Sequence, residues 1–325
     1  MLFRNDMTMK KELNVLILDM GSTTAISVAK GLAVQNDFNV RVFGADTHNS
    51  WEIAGSAFCH KFFTIPMAKT GKPYLQSILR IIRENKIDLI IPIVDSELEI
   101  LAKYRGYIER KTCLLLSPEM SIRICNDKYL TYRFLTDHAI PTLKTWTEGE
   151  NDGYEYPIVV KPRFGLGSKG LHILHSIEQK KATPHEEEYI LQEYCNGREY
   201  TVDIFARKGE LLAAVPRWRR ETRDGISYSG QICKNSTMVF YAAEIAKHLN
   251  IHGPANIQCF LKDSSVFISE INPRFSAGLP LTTAAGVNIP LMCLRLATGE
   301  DIEYQESFEN ISMCRYWEEV FYEVT

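Results

Sequence analysis

Several patterns that commonly assign a chain to a functional class are missing from this sequence. None of its eight cysteines lies in a C-x-x-C pair or at zinc-ligand spacing from a histidine, so we expect reduced thiols. The N-terminus has no apolar segment of the secretory type, and the longest aliphatic run, residues 89–94, is far too short to span a bilayer. A net charge of −3 argues against a general binder of nucleic acid or membrane. We therefore expect a soluble cytoplasmic protein that binds neither.

The first 118 residues alternate short aliphatic runs with amphipathic segments. Residues 14–19, 40–45 and 89–94 are typical of buried strands, and residues 74–84 place their aliphatic side chains on one helical face. This alternation predicts an α/β fold that begins with a Rossmann-like parallel-sheet domain. Only one glycine, Gly21, follows the first strand, where a dinucleotide fingerprint requires three. The turn therefore predicts no dinucleotide site, although a substrate could still bind at this carboxyl edge of the sheet. Asp95 and Glu97 either line that edge or begin a helix.

A glycine-rich stretch, P-I-V-V-K-P-R-F-G-L-G-S-K-G at residues 157–170, follows a predicted strand. The strand at residues 158–160 ends at Lys161, and three glycines then fall within six residues. Glycines let backbone N–H groups approach phosphate oxygens, but the pattern is not a Walker loop. It predicts a glycine-rich lid, with a plain flexible hairpin as the alternative. The candidate donors are Gly165, Gly167, Ser168, Lys169 and Gly170.

Residues 189–203 read Y-I-L-Q-E-Y-C-N-G-R-E-Y-T-V-D, in which Asn196 and Gly197 predict a tight turn between two strands. Amide and backbone groups here could hold a nucleobase. Cys195 has no histidine placed beside it by any pattern, so packing or a backbone role is favoured over a nucleophile.

The stretch S-E-I-N-P-R-F-S-A-G at residues 269–278 brings a carboxylate and an amide together. Glu270 and Asn272 are two residues apart, so both side chains point to one face of a strand and could bind Mg²⁺. A polar strand end followed by a turn is the alternative. Arg274 adds a bidentate cation, and Arg217 and Arg219 share a face of another predicted strand, either beside the site or as solvated edge arginines.

In this order and spacing, the segments resemble the ATP-grasp superfamily over nearly the whole chain. Two motifs, N-I-Q at residues 256–258 and E-I-N-P-R at residues 270–274, are most similar to a single unit of the carbamoyl-phosphate synthase large subunit and related carboxylate–amine ligases. The resemblance implies a pre-ATP-grasp domain at residues 1–118 and a two-lobed ATP-grasp domain at residues 119–325. Within the latter it implies a lid at about residues 145–195 and a metal and substrate lobe at about residues 196–325.

The resemblance also implies a role at each position. ATP phosphates would contact Lys128 and Lys161, with residues 165–170 closing over them. Adenine and ribose would be held at Gln192, Glu193, Tyr194, Cys195 and Glu199. Mg²⁺ or Mn²⁺ would be ligated by Gln258, Glu270 and Asn272, where Gln258 replaces the aspartate of many such ligases. The catalytic cations would be Arg274, Arg217 and Arg219.

The implied reaction is attack of a substrate carboxylate on the γ-phosphate of ATP, followed by attack of an amine on the acylphosphate. We expect small-molecule partners, such as amino acids or peptides, and a homodimer as one assembly. One alternative is a half unit of the carbamoyl-phosphate synthase type that phosphorylates bicarbonate or carbamate with a partner subunit. An alternative of another class is a catalytically silent ATP-binding protein.

Overall fold

The N-terminal third forms a parallel sheet. The computed structural model describes residues 10–147, 153–165, 170–183 and 188–323. The first strands are β1 (Glu12–Ile17), β2 (Asn39–Asp46), β3 (Lys61–Thr64), β4 (Leu89–Ile91) and β5 (Cys113–Leu114). They form a five-stranded sheet in the order β3-β2-β1-β4-β5, and each neighbouring pair is parallel. The predicted parallel sheet is confirmed, and β3 is a strand that the aliphatic pattern does not predict.

Helices cover both faces of this sheet. They are α1 (Thr23–Ala33), α2 (Lys72–Asn85), α3 (Asp95–Lys103) and the short α4 (Arg105–Ile108), with 3₁₀ turns at Ser50–Glu52, Ala54–Phe58 and Ala68–Thr70. Helix α1 begins at the carboxyl end of β1, where the Ser22 hydroxyl accepts a hydrogen bond from the Ala25 N–H at 3.1 Å. This cap fixes the N-terminus of α1 at the edge where the strands end.

Two helices and a small antiparallel sheet follow. Helix α5 (Glu119–Asn126) leads to α6 (Lys128–Asp137), whose first turn is capped by Asp127. The next strands are β6 (Thr145–Thr147), β7 (Ile158–Pro162), β8 (His172–Leu174) and β9 (Tyr189–Glu193), with α7 (Ile177–Ala182) between the last two. They form a four-stranded sheet in the order β6-β9-β7-β8, which we call the small sheet. Its own core is small, since four buried side chains, Ile158, Val160, Leu174 and Leu191, form its centre.

A larger antiparallel sheet completes the fold. Its strands are β10 (Arg198–Arg207), β11 (Glu210–Arg223), β12 (Ile226–Ile232), β13 (Gly253–Lys262), β14 (Ser265–Asn272) and β15 (Ser312–Cys314). They form a six-stranded sheet in the order β14-β13-β10-β11-β12-β15, which we call the large sheet. The accompanying helices are α8 (Ser236–His248), α9 (Leu279–Ala284) and α10 (Ile289–Thr298). The predicted α/β class, a parallel-sheet domain followed by two antiparallel lobes, is confirmed.

The N-terminal sheet and the large sheet share a core. Helix α1 packs against α9 and α10, and one cluster of buried side chains runs from Val15 and Val28 to Phe275 and Leu294. Asn288 also donates to the Gly31 carbonyl at 2.8 Å across this junction. The division of the chain at residue 118 stays a prediction, because the core is continuous across it.

The two strands predicted around Asn196 and Gly197 are present, but the prediction that a tight turn joins them as partners is wrong. Strands β9 and β10 do not pair, since β9 lies in the small sheet and β10 in the large sheet. The intervening residues cross between the sheets, and a Cβ atom on Gly197 would lie 2.7 Å from the Leu261 carbonyl oxygen. Glycine is needed there for close approach to β13 rather than for a two-residue turn.

Within the described ranges, no helix is both long enough and apolar enough to cross a bilayer.

Candidate active site

A cavity of about 580 Å³ lies where the small sheet faces the large sheet. Its walls come from β7, from the crossing segment after β9, and from β10, β11 and β13. Thr24, at the start of α1, and the loop at residues 276–278 line it as well. This volume suits a nucleotide or another ligand of that size. We call this cavity the cleft.

Lys161 reaches the cleft from β7 and is held by a neutral amide. Its ammonium donates to the Gln192 side-chain oxygen at 2.9 Å, and the Gln192 amide donates to the Thr145 hydroxyl at 2.9 Å. Burial lowers the pKa of Lys161 to about 8, while the charges of Glu270 and Glu199 favour its protonated form. Gln192, predicted to contact adenine, is buried and is occupied by this chain of hydrogen bonds.

Lys128 faces the start of the glycine-rich loop. Its ammonium donates to the Gly165 carbonyl at 3.0 Å. The preceding residue, Asp127, caps α6 and accepts from two nitrogens of Arg163 at 2.9 and 2.7 Å, which lowers the pKa of Asp127. Arg163 therefore ties the strand end that precedes the loop to the helix that carries Lys128.

The predicted lid residues fall partly outside the described structure. Gly165 and Gly170 are described, and each has a positive φ that favours glycine. Gly167, Ser168 and Lys169 lie outside the described residues.

The predicted adenine segment lines the cleft as the chain crosses between the sheets. Glu193, Tyr194 and Cys195 are all cleft residues, and the Glu193 N–H donates to the Lys144 carbonyl at 2.9 Å. Glu199, on β10, accepts a hydrogen bond from Arg219 on β11. Glu199, which is predicted to contact the ribose, is thus paired with Arg219 in this structure.

Glu270 and Gln258 stand opposite each other on β14 and β13, and both side chains line the cleft. The half-buried Glu270 carboxylate makes no hydrogen bond or ion pair within the described residues. The Gln258 side-chain oxygen accepts from Arg219 at 3.4 Å. A carboxylate that bonds to no other described residue and lies beside an amide oxygen fits a hard cation, which typically takes one or two carboxylates plus phosphate oxygens.

Asn272 fits a metal less well. It is buried, and its side-chain oxygen accepts from Arg274 at 3.2 Å. Its amide lies 3.4 Å from the Asn256 oxygen, and Asn256 in turn donates to the Arg274 carbonyl at 3.0 Å. Asn272 is therefore placed to orient Arg274.

The three predicted catalytic arginines all contact carboxylates. Arg217 is 1% exposed, and its fork binds both oxygens of Asp203 at 2.8 and 2.9 Å. Arg219 pairs with Glu199, and Arg274 pairs with Asp95 at 2.8 Å.

Arg217 also shapes the loop that closes the cleft. It donates to the Ser276 hydroxyl at 2.9 Å, and a Cβ on Gly278 would lie 2.0 Å from its Nη1 atom. Glycine at position 278 is what allows the loop to lie against the guanidinium.

Sequence reasoning missed the partners of these arginines. Asp203 carried a weak signal, because Glu199, Thr201 and Asp203 alternate along one strand and so share a face. Asp95 is 179 residues from Arg274, and no local pattern connects them.

Comparisons with known proteins agree with this architecture. A model described as "PylC-like, N-terminal domain" matches residues 15–116, and one described as "ATP-grasp in the biosynthetic pathway with Ter operon" matches residues 185–320. The carbamoyl phosphate synthase arginine-specific large chain of Geobacillus stearothermophilus is 27% identical over 161 residues. That match covers 45% of this chain and only 15% of the relative.

Solved structures share the fold at low identity. The L-amino acid ligase from Bacillus licheniformis aligns with a TM-score of 0.69 at 16% identity, over 89% of this chain and 74% of that one. The 2-oxoglutarate carboxylase biotin carboxylase domain of Hydrogenobacter thermophilus, in complex with MgADP and bicarbonate, aligns with a TM-score of 0.73 at 15% identity, over 91% and 72%. Residues 15–116 therefore match a PylC-like N-terminal domain and residues 185–320 an ATP-grasp domain, in the order in which the sequence motifs predict a Rossmann-like domain and then an ATP-grasp domain.

Proposed function

We propose that this chain is an ATP- and Mg²⁺-dependent ligase that joins a small-molecule carboxylate to an amine. The observation that carries the proposal is the charge arrangement of the cleft. Lys161 lies on β7 of the small sheet, and Lys128, at the start of α6, contacts the Gly165 carbonyl that follows β7. The Glu270 carboxylate lies opposite on the large sheet and makes no hydrogen bond or ion pair within the described ranges. Cations on one wall suit phosphates, and a free anion on the other suits a metal ion.

The proposed phosphate contacts are the two lysines. Both are held by neutral oxygens, those of Gln192 and Gly165, and neither makes an ion pair within the described residues. Nucleotide phosphates can replace these neutral acceptors without breaking an ion pair. The adenine contacts are proposed for Glu193, Tyr194 and Cys195, which line the cleft beyond the lysines.

Glu270 and Gln258 would hold Mg²⁺ or Mn²⁺, with Asn272 acting through Arg274. When bound, the cation neutralises charge on the phosphate oxygens. The protein side chains contribute by orienting the reacting groups, since phosphoryl transfer needs orientation and charge more than a protein nucleophile.

The proposed reaction has two steps. A carboxylate oxygen of the substrate attacks the γ-phosphorus, the bond to the β-phosphate oxygen breaks, and ADP leaves. The amine nitrogen then attacks the acyl carbon of the acylphosphate, phosphate departs with the bonding electron pair, and the amine loses a proton to solvent. The L-amino acid ligase among the structural neighbours supports amino acids as the first substrates to test. A homodimer belongs to the proposal as well.

A second candidate is a half unit that phosphorylates bicarbonate or carbamate with a partner subunit. The match to a carbamoyl phosphate synthase large chain favours it, although that match covers 15% of the relative. Bicarbonate and the carboxylate of an amino acid both present an anionic oxygen to the γ-phosphate, so the same cleft can serve either reaction.

Release of ADP from MgATP tests both candidates. Purified protein is incubated with MgATP and either amino-acid pools or bicarbonate with ammonia. Turnover that needs an amino-acid pair supports the ligase, and turnover that needs bicarbonate and ammonia supports the half unit. ATP binding without turnover in any pool would indicate a silent nucleotide-binding protein.

Glu270→Ala should abolish turnover and leave the fold intact. Glu303→Ala, which removes an exposed carboxylate outside the cleft, is the matched control and should keep full activity. Full activity of Glu270→Ala would contradict the metal assignment.

A further inference from the structure

An ion pair joins the N-terminal domain to the cleft. Asp95 is the first residue of α3, directly after the strand β4 and its turn, and Arg274 follows β14. Arg274 Nε donates to Asp95 Oδ1 at 2.8 Å, and Arg274 Nη2 lies 3.4 Å from Asp95 Oδ2. The side chains are only 17% and 16% exposed, so solvent screens this pair less than a surface pair.

Arg274 has nearly all of its donors engaged. Besides the two contacts to Asp95, Nη2 donates to the Asn272 oxygen at 3.2 Å and Nη1 to the Phe275 carbonyl at 3.2 Å. A guanidinium has five N–H groups, so these contacts leave roughly one of them, on Nη1, for a ligand. Arg274 lines the cleft, and the plane of its guanidinium is fixed from two domains.

Asp95 itself is held in place by the start of α3. The buried Glu97, two residues along, accepts from the Ile93 and Val94 N–H groups at 3.2 and 3.4 Å. These bonds lock the turn between β4 and α3 and leave the Asp95 carboxylate directed at Arg274. The N-terminal domain thus presents a preformed anion to Arg274.

We propose that Asp95 is a positioning residue, which orients Arg274 toward the transferred phosphoryl group and offsets its charge before ATP binds. This inference rests on the proposed function, because it takes the cleft as the phosphoryl-transfer site. In this proposal the N-terminal domain contributes to the site through the carboxylate of Asp95.

Opposite effects on binding and on chemistry follow from this role. Without Asp95, the charge of Arg274 is free to attract the γ-phosphate, so ATP should bind tighter relative to ADP. The guanidinium also loses its fixed orientation, so the chemical step should slow. A variant that lowers kcat while also lowering KM has this signature, whereas general damage to the fold weakens both.

The chain offers a matched control. Arg295 on α10 pairs with Asp37 at 2.6 Å and also joins the C-terminal lobe to the N-terminal domain. Those side chains are 39% and 42% exposed, and neither residue lines the cleft. Asp37→Ala therefore removes an interdomain ion pair without touching Arg274.

The experiment compares wild type, Asp95→Ala, Asp95→Asn and Asp37→Ala. Calorimetric titrations with MgATP and MgADP give the ratio of the two affinities, and ADP release with the active substrate pair gives kcat. For Asp95→Ala we expect kcat to fall about ten- to a hundredfold. We expect the preference for ATP over ADP to rise about threefold. Asp95→Asn, which keeps the shape, should lie between, and Asp37→Ala should match wild type.

A double-variant cycle separates positioning from support of the fold. Adding Asp95→Ala to Arg274→Ala should cost no further activity, because Asp95 acts through Arg274. Additive losses, an unchanged nucleotide preference in Asp95→Ala, or equal losses in Asp37→Ala would each overturn the proposal. Wild-type protein that binds neither nucleotide would instead overturn the proposed function on which it rests.

Discussion

The two walls of the cleft carry charge in opposite ways. On the small-sheet side, Lys128 and Lys161 are held by neutral oxygens and make no ion pair within the described residues. On the large-sheet side, the arginines of the cleft are neutralised by carboxylates, whereas Glu270 and Asp224 line the cleft without a hydrogen bond or ion pair in the described part of the chain.

This difference in charge pairing predicts a different role for each side of the cleft. Unpaired cations bind phosphates without first breaking an ion pair, and an unpaired carboxylate does the same for a metal ion. Arginines with carboxylate partners serve geometry more than net charge, because each brings its own compensating anion. The lysines are therefore expected to govern nucleotide affinity, and the arginines to govern stability and alignment.

Arg217 should show the largest effect, and it should appear in stability. Arg217→Met leaves the buried Asp203 carboxylate without its bidentate partner, which should lower the free energy of unfolding by about 3–5 kcal/mol. Urea denaturation measures this loss. Adding Asp203→Asn should recover part of it, because the stranded charge is then gone. A fully stable Arg217→Met with weak nucleotide binding would make Arg217 a ligand contact instead.

Lys161 should show the next largest effect, and it should appear in ATP use. Lys161→Met removes a cation that makes no ion pair within the described residues from the small-sheet side of the cleft, so kcat/KM for ATP should fall about a hundredfold with stability little changed. The control is Lys180→Met on α7, since Lys180 also bonds a neutral oxygen, that of Tyr154 at 2.8 Å, outside the cleft. An equal fall of kcat/KM for ATP in the two variants would contradict a special role for the cations of the cleft.

The pH dependence of Lys161 should be the smallest effect. Burial lowers its pKa to about 8, with Lys128 acting in the same direction and Glu270 and Glu199 opposing it. At pH 7 the amine is about nine-tenths protonated, and above pH 8 its charge is lost about tenfold per pH unit. In the free enzyme, kcat/KM for ATP should decline along that curve.

Lys161→Arg supplies the control for the pH profile. Arginine keeps its charge throughout this range, so the decline should move beyond about pH 9. An identical profile in wild type and Lys161→Arg would assign the titration to another group.

The sequence predicts the sheets better than it predicts the contacts inside the cleft. Aliphatic runs such as residues 89–94 mark buried strands because parallel strands bury both faces. The strand Lys61–Thr64 escapes prediction because its K-F-F-T pattern is short and only half-buried. The Asn196-Gly197 pair predicts a hairpin from local turn chemistry, but pairing is decided by sheets that form elsewhere in the chain.

Residue types in the site were predictable, and their partners were not. Glu270 and Lys161 follow from motif spacing, and both line the cleft. The carboxylates that neutralise the arginines depend on tertiary placement, as Asp95 and Arg274 demonstrate. Their pairing changes the expected role of an arginine from phosphate ligand to oriented or structural group.

Calorimetric titration of ATP with and without Mg²⁺ tests the account most directly. In wild type, Mg²⁺ should tighten ATP binding by about tenfold or more, because Glu270, which has no bonded partner among the described residues, can take the metal that the phosphates share. In Glu270→Ala the effect of Mg²⁺ should disappear while binding of metal-free ATP persists through the lysines. ATP affinity that does not change with Mg²⁺ in wild type, or an equal gain in ATP affinity with Mg²⁺ in Glu270→Ala, would contradict the account. In that account the lysines bind the phosphates and Glu270, on the opposite side of the cleft, binds the metal.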